Sequence, residues 1–364
     1  RWLVMVLVSG LMFSTYYFQD FFSGLKDLVE TDFGFTSEEY GRMIGLTTIA
    51  NVFGMIIVGG IILDKWGIRL AGLAFGSLAA LGGLVSALTA AGYFGTDKST
   101  LLTGLIIGRV MFGSGLEVVC VVVMRALVKW FKGYELALSM AINMGFGRLG
   151  SALAIAISLD IAGTRVSPAV SFAASLIGLT MIMFIVYLFF DVKIDKQLGT
   201  KELKKQSKGE DDFRFSDLIK LVTNKSFIYI TLLCVAFYSA VFPFIQYAPD
   251  LLVNKFGFTY VLPQEAAFKA FGSESLGNAL VYVVIFVFAL CITLLPNNLK
   301  RTSHKNFARL VILGLFILAV YLNDDIIGLW LINGPKTAAL IPLGTIIFTP
   351  IFGSIVDKRG KAAS

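Results

Sequence analysis

Runs of about 20 predominantly apolar residues recur along the whole chain, separated by short charged stretches. Wound as an α-helix at about 1.5 Å per residue, each run matches the ~30 Å hydrocarbon core of a bilayer. Nothing in that core hydrogen-bonds a bare backbone, so a chain crossing it folds as helices or as a closed barrel. Runs of this length with few charges read as membrane helices, and the chain as an all-α polytopic membrane protein. Composition agrees, with 57% apolar and only 15% charged residues, against roughly 25% charged in soluble domains. Cys120, Cys234 and Cys291 lie inside apolar runs, where a thiol behaves as a small hydrophobe, and the single histidine, His304, lies in a basic loop. No disulfide framework, metal cluster or cofactor site is expected, and the chain is read as no enzyme.

Charges inside the apolar runs narrow the reading. Arg109 and Glu117 fall in one run and Arg148 in the next. Counted from Lys132 in the turn between them, Glu117 is 132 − 117 = 15 residues back and Arg148 is 148 − 132 = 16 residues on. Antiparallel helices would therefore carry both charges to one depth, near the bilayer centre. An ionised group there costs roughly 2.5–3.5 kcal/mol on insertion scales, so it faces a partner, a water-filled cavity or a substrate. Arg109, Gly113 and Glu117 share one helix face, because they are spaced i, i+4, i+8.

In chain order, helix 1 is expected over about 2–22, with Tyr16, Tyr17, Gln19 and Asp20 as an interfacial anchor or a cavity lining. The chain begins at Arg1 and reads as trimmed. An acidic linker, 23–39, suits the outer side. Helix 2, about 40–63, ends in GIILDKWGIR at 60–69. Gly60, Asp64, Lys65, Gly67 and Arg69 fit the pattern GxxxD(R/K)xGxR, and this loop resembles that of the major facilitator superfamily of transporters. The resemblance implies a cytoplasmic loop between helices 2 and 3 whose Asp pairs with charges on neighbouring helices to latch one conformation. Helix 3, about 70–91, carries small residues that permit close helix crossings. In helix 4, about 101–128, Arg109, Gly113 and Gly115 resemble the superfamily's second signature, and a gating role is expected for Arg109. Helices 5 and 6 are placed at about 136–157 and 167–190. The basic stretch from Asp191 on is a cytoplasmic linker, with an amphipathic surface helix marked by Phe213, Phe215, Leu218, Ile219 and Val222. Helix 7, about 226–253, includes Pro243 and Pro249 as kink positions.

An internal repeat supports two halves. FGFT at 33–36 returns at 256–259, an offset of 223, whereas the 60–69 loop returns at 353–362, an offset of 293, with Gly353, Asp357, Lys358 and Gly360 in register. The difference, 293 − 223 = 70 residues, marks an insertion, filled by two apolar runs forming a hairpin at about 277–322. The expected domains are thus a complete six-helix half at 1–190, a linker at 191–225, and a truncated second half at 226–364. The second half holds helices 7 and 8 and the hairpin, and the hairpin is expected at the periphery. Ten membrane helices result. Lys and Arg concentrate in the loops at 65–69, 129–132, 193–214, 300–305 and 358–361, which places those loops and both termini on the cytoplasmic side.

Within the superfamily, GRVMFGSGLE, WFKGYEL, GFGRLGS and AVFPFI are similar to the branch that includes a lysosomal dipeptide uniporter, and the hairpin points to its bacterial relatives. The resemblance implies alternating-access transport of dipeptides or another zwitterionic, amino-acid-like solute, by uniport or proton coupling. Glu117 and Arg148 would hold the amine and the carboxylate. Tyr16, Tyr17, Asn143, Tyr238 and Gln246 are further candidates for contact. A transporter of small organic anions using Arg148 and Arg109, and a non-transporting receptor or accessory protein, are the alternatives. Expected partners are a small solute and the lipid bilayer, with no nucleic acid and a monomeric state. The expected location is a bacterial inner membrane, or the lysosomal membrane if the source is eukaryotic. The topology is checked by single cysteines at Lys26 and Lys204: an impermeant thiol reagent should label them from opposite faces, and labelling from one face would overturn the assignment.

Overall fold

The computed structural model describes residues 1–132, 136–197, 223–263, 266, 268–299 and 301–345. The expected amphipathic linker helix and the second repeat loop with Gly353, Asp357, Lys358 and Gly360 lie outside the described residues. Among the described residues eight helices are long and apolar enough to cross a membrane. Ten were expected; the difference lies in helix 2, which is broken, and in the last run, which passes beyond residue 345.

Helix 1 continues past its expected end. α1 (Trp2–Asp20) passes through a 3-10 turn at Phe21–Leu25 into α2 (Lys26–Asp32). The acidic residues of this stretch hid an apolar stripe: Phe21, Phe22, Leu25 and Val29 recur at helical spacing and are fully buried. Helix 2 is not one span. It consists of α3 (Ser37–Gly45), a 3-10 turn at Leu46–Thr48 and α4 (Ile49–Val52), and then Gly54 at φ 88° precedes α5 (Met55–Ala90). The sequence GLTTIANVFG explains the interruption, since glycines flank a β-branched run of weak helix formers. α5 is itself divided at Gly67, whose φ of 75° and ψ of 174° fall in a region essentially reserved for glycine. The expected turn between helices 2 and 3 is this single residue.

α6 (Lys98–Phe131) starts at Asp97, which caps it by accepting from the Thr100 amide; that bond holds the Asp97 carboxyl below the usual range. α7 (Leu136–Ala162) and α8 (Val166–Gln197) both outrun their expected ends, and α9 (Lys225–Phe256) stays helical through Pro243 and Pro249. Then come α10 (Glu274–Leu294), α11 (Thr302–Tyr321), α12 (Asp324–Leu331) and α13 (Gly334–Ala338).

The chain divides into two compact units. The first comprises Arg1–Leu11, Gly41–Leu136 and Ala174–Tyr247. Its centre is the contact of α5 with α6, made close by glycine: a Cβ at Gly82 would lie 2.5 Å from the Gly108 carbonyl oxygen and the Phe112 nitrogen. Phe112, Val119, Val122, Val123 and Phe131 of α6 are fully buried. The second comprises Met12–Tyr40, Ala137–Ala173 and the residues from Ala248 on. Here Tyr40 donates its hydroxyl to the Phe22 carbonyl at 2.8 Å, and Ala152, Ala154 and Ile155 of α7 are buried.

Within the second unit the hairpin meets the first six helices through α10. α10 packs on α7: the Phe146 and Phe286 rings are 5.6 Å apart, and Asn278 Nδ2 donates to Asp160 Oδ2 at 2.9 Å. An acidic residue on α7 needs a donor, and the polar first turn of α10 supplies one. α11 has no buried residue over 303–321, and its Phe316 ring stacks on Phe288 at 4.1 Å. A side chain at Gly67 is strained whatever space surrounds it, so Gly67→Ala should cost at least about 1–2 kcal/mol. A lowered unfolding midpoint in detergent would show this, and an unchanged midpoint would refute it.

Candidate functional site

Two clusters in the first unit involve residues singled out from the sequence. At the end of α6, Asp191 of α8 is 1% exposed and collects donors from three helices. Arg69 Nε lies 2.6 Å from Oδ2; Lys129 Nζ at 2.7 Å, Trp130 Nε1 at 3.2 Å and the Tyr187 hydroxyl at 3.1 Å all point at Oδ1. Asp195, one turn on, pairs with Arg69 and with Lys129, the latter at 2.8 Å. Asp64 pairs with Arg125 of α6 at 2.5 Å, both side chains being exposed. The loop thus ends in two ion-pair systems, one buried and one exposed. Gly60 and Lys65 make no comparable contact: Gly60 faces open space and Lys65 is exposed.

Deeper in the same unit, Arg109 is 1% exposed and donates from Nε to Thr47 Oγ1 at 2.8 Å. Thr47 belongs to the broken stretch of helix 2, and its carbonyl approaches Gly113 so closely that a Cβ there would lie 1.7 Å from the oxygen. Arg109 and Gly113, four apart on α6, therefore grip one turn of irregular backbone. Glu117, on the same face two turns beyond Arg109, is half-buried, and among the described residues of this unit no cation pairs with it. On α9, Tyr238 is exposed with its ring stacked on Phe242, whereas Gln246 is buried.

In the second unit the Arg148 guanidinium sits over the Tyr16 ring at 5.9 Å, within cation–π range. Among the described residues of this unit no carboxylate pairs with it. Gly147 faces Met12 and Tyr16, so α7 and α1 run close where the arginine projects. Asn143, five residues before Arg148, is fully buried. Tyr17 is buried as well; its ring packs on Phe172 and its hydroxyl lies 3.4 Å from Ser158 Oγ. Of the candidates expected to meet a solute, Tyr16 and Arg148 come together, while Tyr17 is taken up by packing.

Sequence reasoning missed Thr47, Arg125, Asp191 and Asp195. Asp191 had been given to a linker because helix 6 was ended at Phe190; continuing the helical period would have stacked Tyr187, Asp191 and Asp195 along one face. Asp160 and Lys336 also went unnoticed.

A family model described as Major Facilitator Superfamily matches residues 3–363. The chain belongs to the Major Facilitator Superfamily. As a superfamily member it is a membrane transporter and not an enzyme. It is similar to the protein named Lysosomal dipeptide transporter MFSD1 of Danio rerio, with 26% identity over 401 residues, covering 99% of this chain and 81% of that one. The protein of the same name from Homo sapiens is 26% identical over 296 residues, covering 78% of this chain and 58% of its own length. The chain thus spans little more than half of the human relative. Among solved structures, the partially occluded inward-open conformation of the xylose transporter XylE from E. coli superposes with a TM-score of 0.53 at 12% identity, over 97% of both chains. At that identity it shows the superfamily fold alone.

The two ion-pair systems at the superfamily loop should differ in weight. Asp191→Asn removes the buried carboxylate of the site, leaving Arg69 and Lys129 with Asp195 alone, and should cost about 1–3 kcal/mol. Asp64→Asn breaks an exposed pair and should cost less than about 1 kcal/mol. Thermal unfolding of the two variants side by side checks the ranking, and equal losses would refute it.

Proposed function

We propose that this superfamily member moves dipeptides, or a similar zwitterionic, amino-acid-like solute, by alternating access, with Glu117 facing the solute's ammonium and Arg148 its carboxylate. The observation that carries the reading is a pair of opposite charges, counted in sequence to one depth on consecutive helices, each without an ion-pair partner among the described residues of its own unit. A charge at that depth needs a counterpart, and a zwitterion brings one for each. Arg148 is suited to the carboxylate because a guanidinium donates two parallel hydrogen bonds, which an ammonium does not. Its place over Tyr16 orients it without neutralising it. The relatives named as dipeptide transporters support the same solute class.

Arg109 fits gating better than binding. It is buried and engaged with Thr47, which weakens the reading as an organic-anion carrier using both arginines. The Asp64 and Asp191 systems, with Gly60, Lys65, Gly67 and Arg69, are the conformational loop of the first half, and the repeat at 353–362 is its counterpart. Asn143, Tyr238 and Gln246 stay as secondary contacts. A carboxyl at the depth of Glu117 also exchanges protons, so uptake with and without a proton gradient separates coupled transport from uniport. The hairpin favours a bacterial inner membrane; in a eukaryote the lysosomal membrane is the counterpart.

Glu117→Gln and Arg148→Lys should each abolish dipeptide binding in detergent while leaving the unfolding midpoint near that of the parent. Uptake into liposomes at the parental rate by either variant would overturn the assignment.

A further inference from the structure

Lys336 is only 2% exposed, although lysine is seldom buried without a partner. Its Nζ lies 3.0 and 3.2 Å from the two carboxylate oxygens of Asp160 and 3.5 Å from the Ala156 carbonyl. Asn278 of α10 donates to the same carboxylate, and the Tyr282 hydroxyl donates to the Lys336 carbonyl at 2.7 Å. The helix that presents this lysine, α13, has five residues and no stability of its own at that length. Its position is imposed from outside. Asn333 caps it and donates to the Tyr260 carbonyl at 2.8 Å, and the Gly334 amide donates to the Thr259 carbonyl at 2.9 Å. Gly334 lies against α9 so closely that a Cβ would meet Val253 at 2.6 Å. A short element with no strength of its own is thus fastened at several points around one buried cation.

A second ionic contact joins the same parts of the chain. Lys26 of α2 lies 3.0 Å from Asp250 of α9 and 3.4 Å from Glu30. Both contacts lie within the second unit, and both tie a segment from the first six helices (α2 or α7) to one that follows Lys225 (α9 or α13). They occur away from the basic loops in sequence: Lys26 follows α1, Asp160 lies in the last turn of α7, Asp250 lies near the end of α9, and Lys336 lies in α13. A buried ion pair adds little net stability, but losing one partner strands the other charge. Such a pair suits a contact that is either fully made or fully broken.

We infer that the Asp160–Lys336 pair is the latch that holds the face opposite the basic loops closed. Asn278 and Tyr282 are its positioning residues, and Lys26–Asp250 is a second, more exposed tie. For solute to pass that face, the ammonium and the carboxylate must separate and each take water instead. The inference rests on superfamily membership and not on the solute proposed above.

The test uses the full chain in proteoliposomes with Cys120, Cys234 and Cys291 replaced by Ala and one reporter, Ser151→Cys. Ser151 is 1% exposed and lies 160 − 151 = 9 residues before Asp160 on α7, about 14 Å along the helix. A membrane-impermeant maleimide is added from the face opposite the basic loops. The parent should label slowly. Lys336→Met and Asp160→Asn should each speed labelling about tenfold or more, as expected when a minor open state becomes populated. The exchanged pair, Asp160→Lys with Lys336→Asp, should return labelling toward the parental rate. Tyr282→Phe and Lys26→Ala should give smaller increases. If a charge-removing variant fails to fold, the exchanged pair and Tyr282→Phe decide. Unchanged labelling in every folded variant, or an increase that exchanging the charges does not reverse, overturns the latch. Dipeptide uptake measured in the same vesicles reports on the solute assignment separately, because labelling needs no solute.

Discussion

An ionised side chain below the headgroups must be matched, since no water is at hand to do it, and the charges of this transporter sort themselves by how that demand is met. Asp191 is matched by Arg69 and Lys129 together with Trp130 and Tyr187. Asp160 is matched by Lys336 and Asn278. Arg109 has Thr47. Glu117 and Arg148 stand apart from these, each without an ion pair among the described residues of its own unit. In a medium that penalises loose charge, an unmatched pair of opposite sign is what the proposed zwitterionic solute would satisfy.

The matching works only because the backbone comes close. Gly82 against Gly108, and Gly113 against the Thr47 carbonyl, bring main chains to distances at which any side chain would collide. Helix association in lipid gains little from apolar burial, since lipid tails are as apolar as leucine, and close van der Waals contact takes that role. These glycines therefore set the depth and the direction in which Arg109 and Glu117 project from α6.

Much of this was legible in the sequence, for physical reasons that also mark where legibility stopped. Apolar run length fixed the membrane helices, and the spacing of Gly60, Asp64, Gly67 and Arg69 identified the loop, because both signals are local. The continuation of helix 1 to Asp32 was hidden by acidic residues that outweighed Phe21, Phe22, Leu25 and Val29 in a compositional reading. The break in helix 2 was written in Gly45, Thr47, Thr48 and Gly54, but an apolar run long enough to span overrode those weak signals. Partnerships such as Asp160 with Lys336 join residues 176 apart, and no local pattern records them. The packing of α10 on α7 was not legible for the same reason: the repeat offsets point to an insertion but hold no information on what it touches.

The interrupted stretch of helix 2 has a consequence for how the molecule ages under strain. Pieces of nine and four residues, joined by a 3-10 turn, are too short to be helices by their own cooperativity, so α6 lends them their order through Thr47. Opening there needs few bonds to break, and it detaches the Arg109 anchor in the same event. A local opening that starts in this segment would therefore release the charged face of α6 while the apolar frame around it still holds.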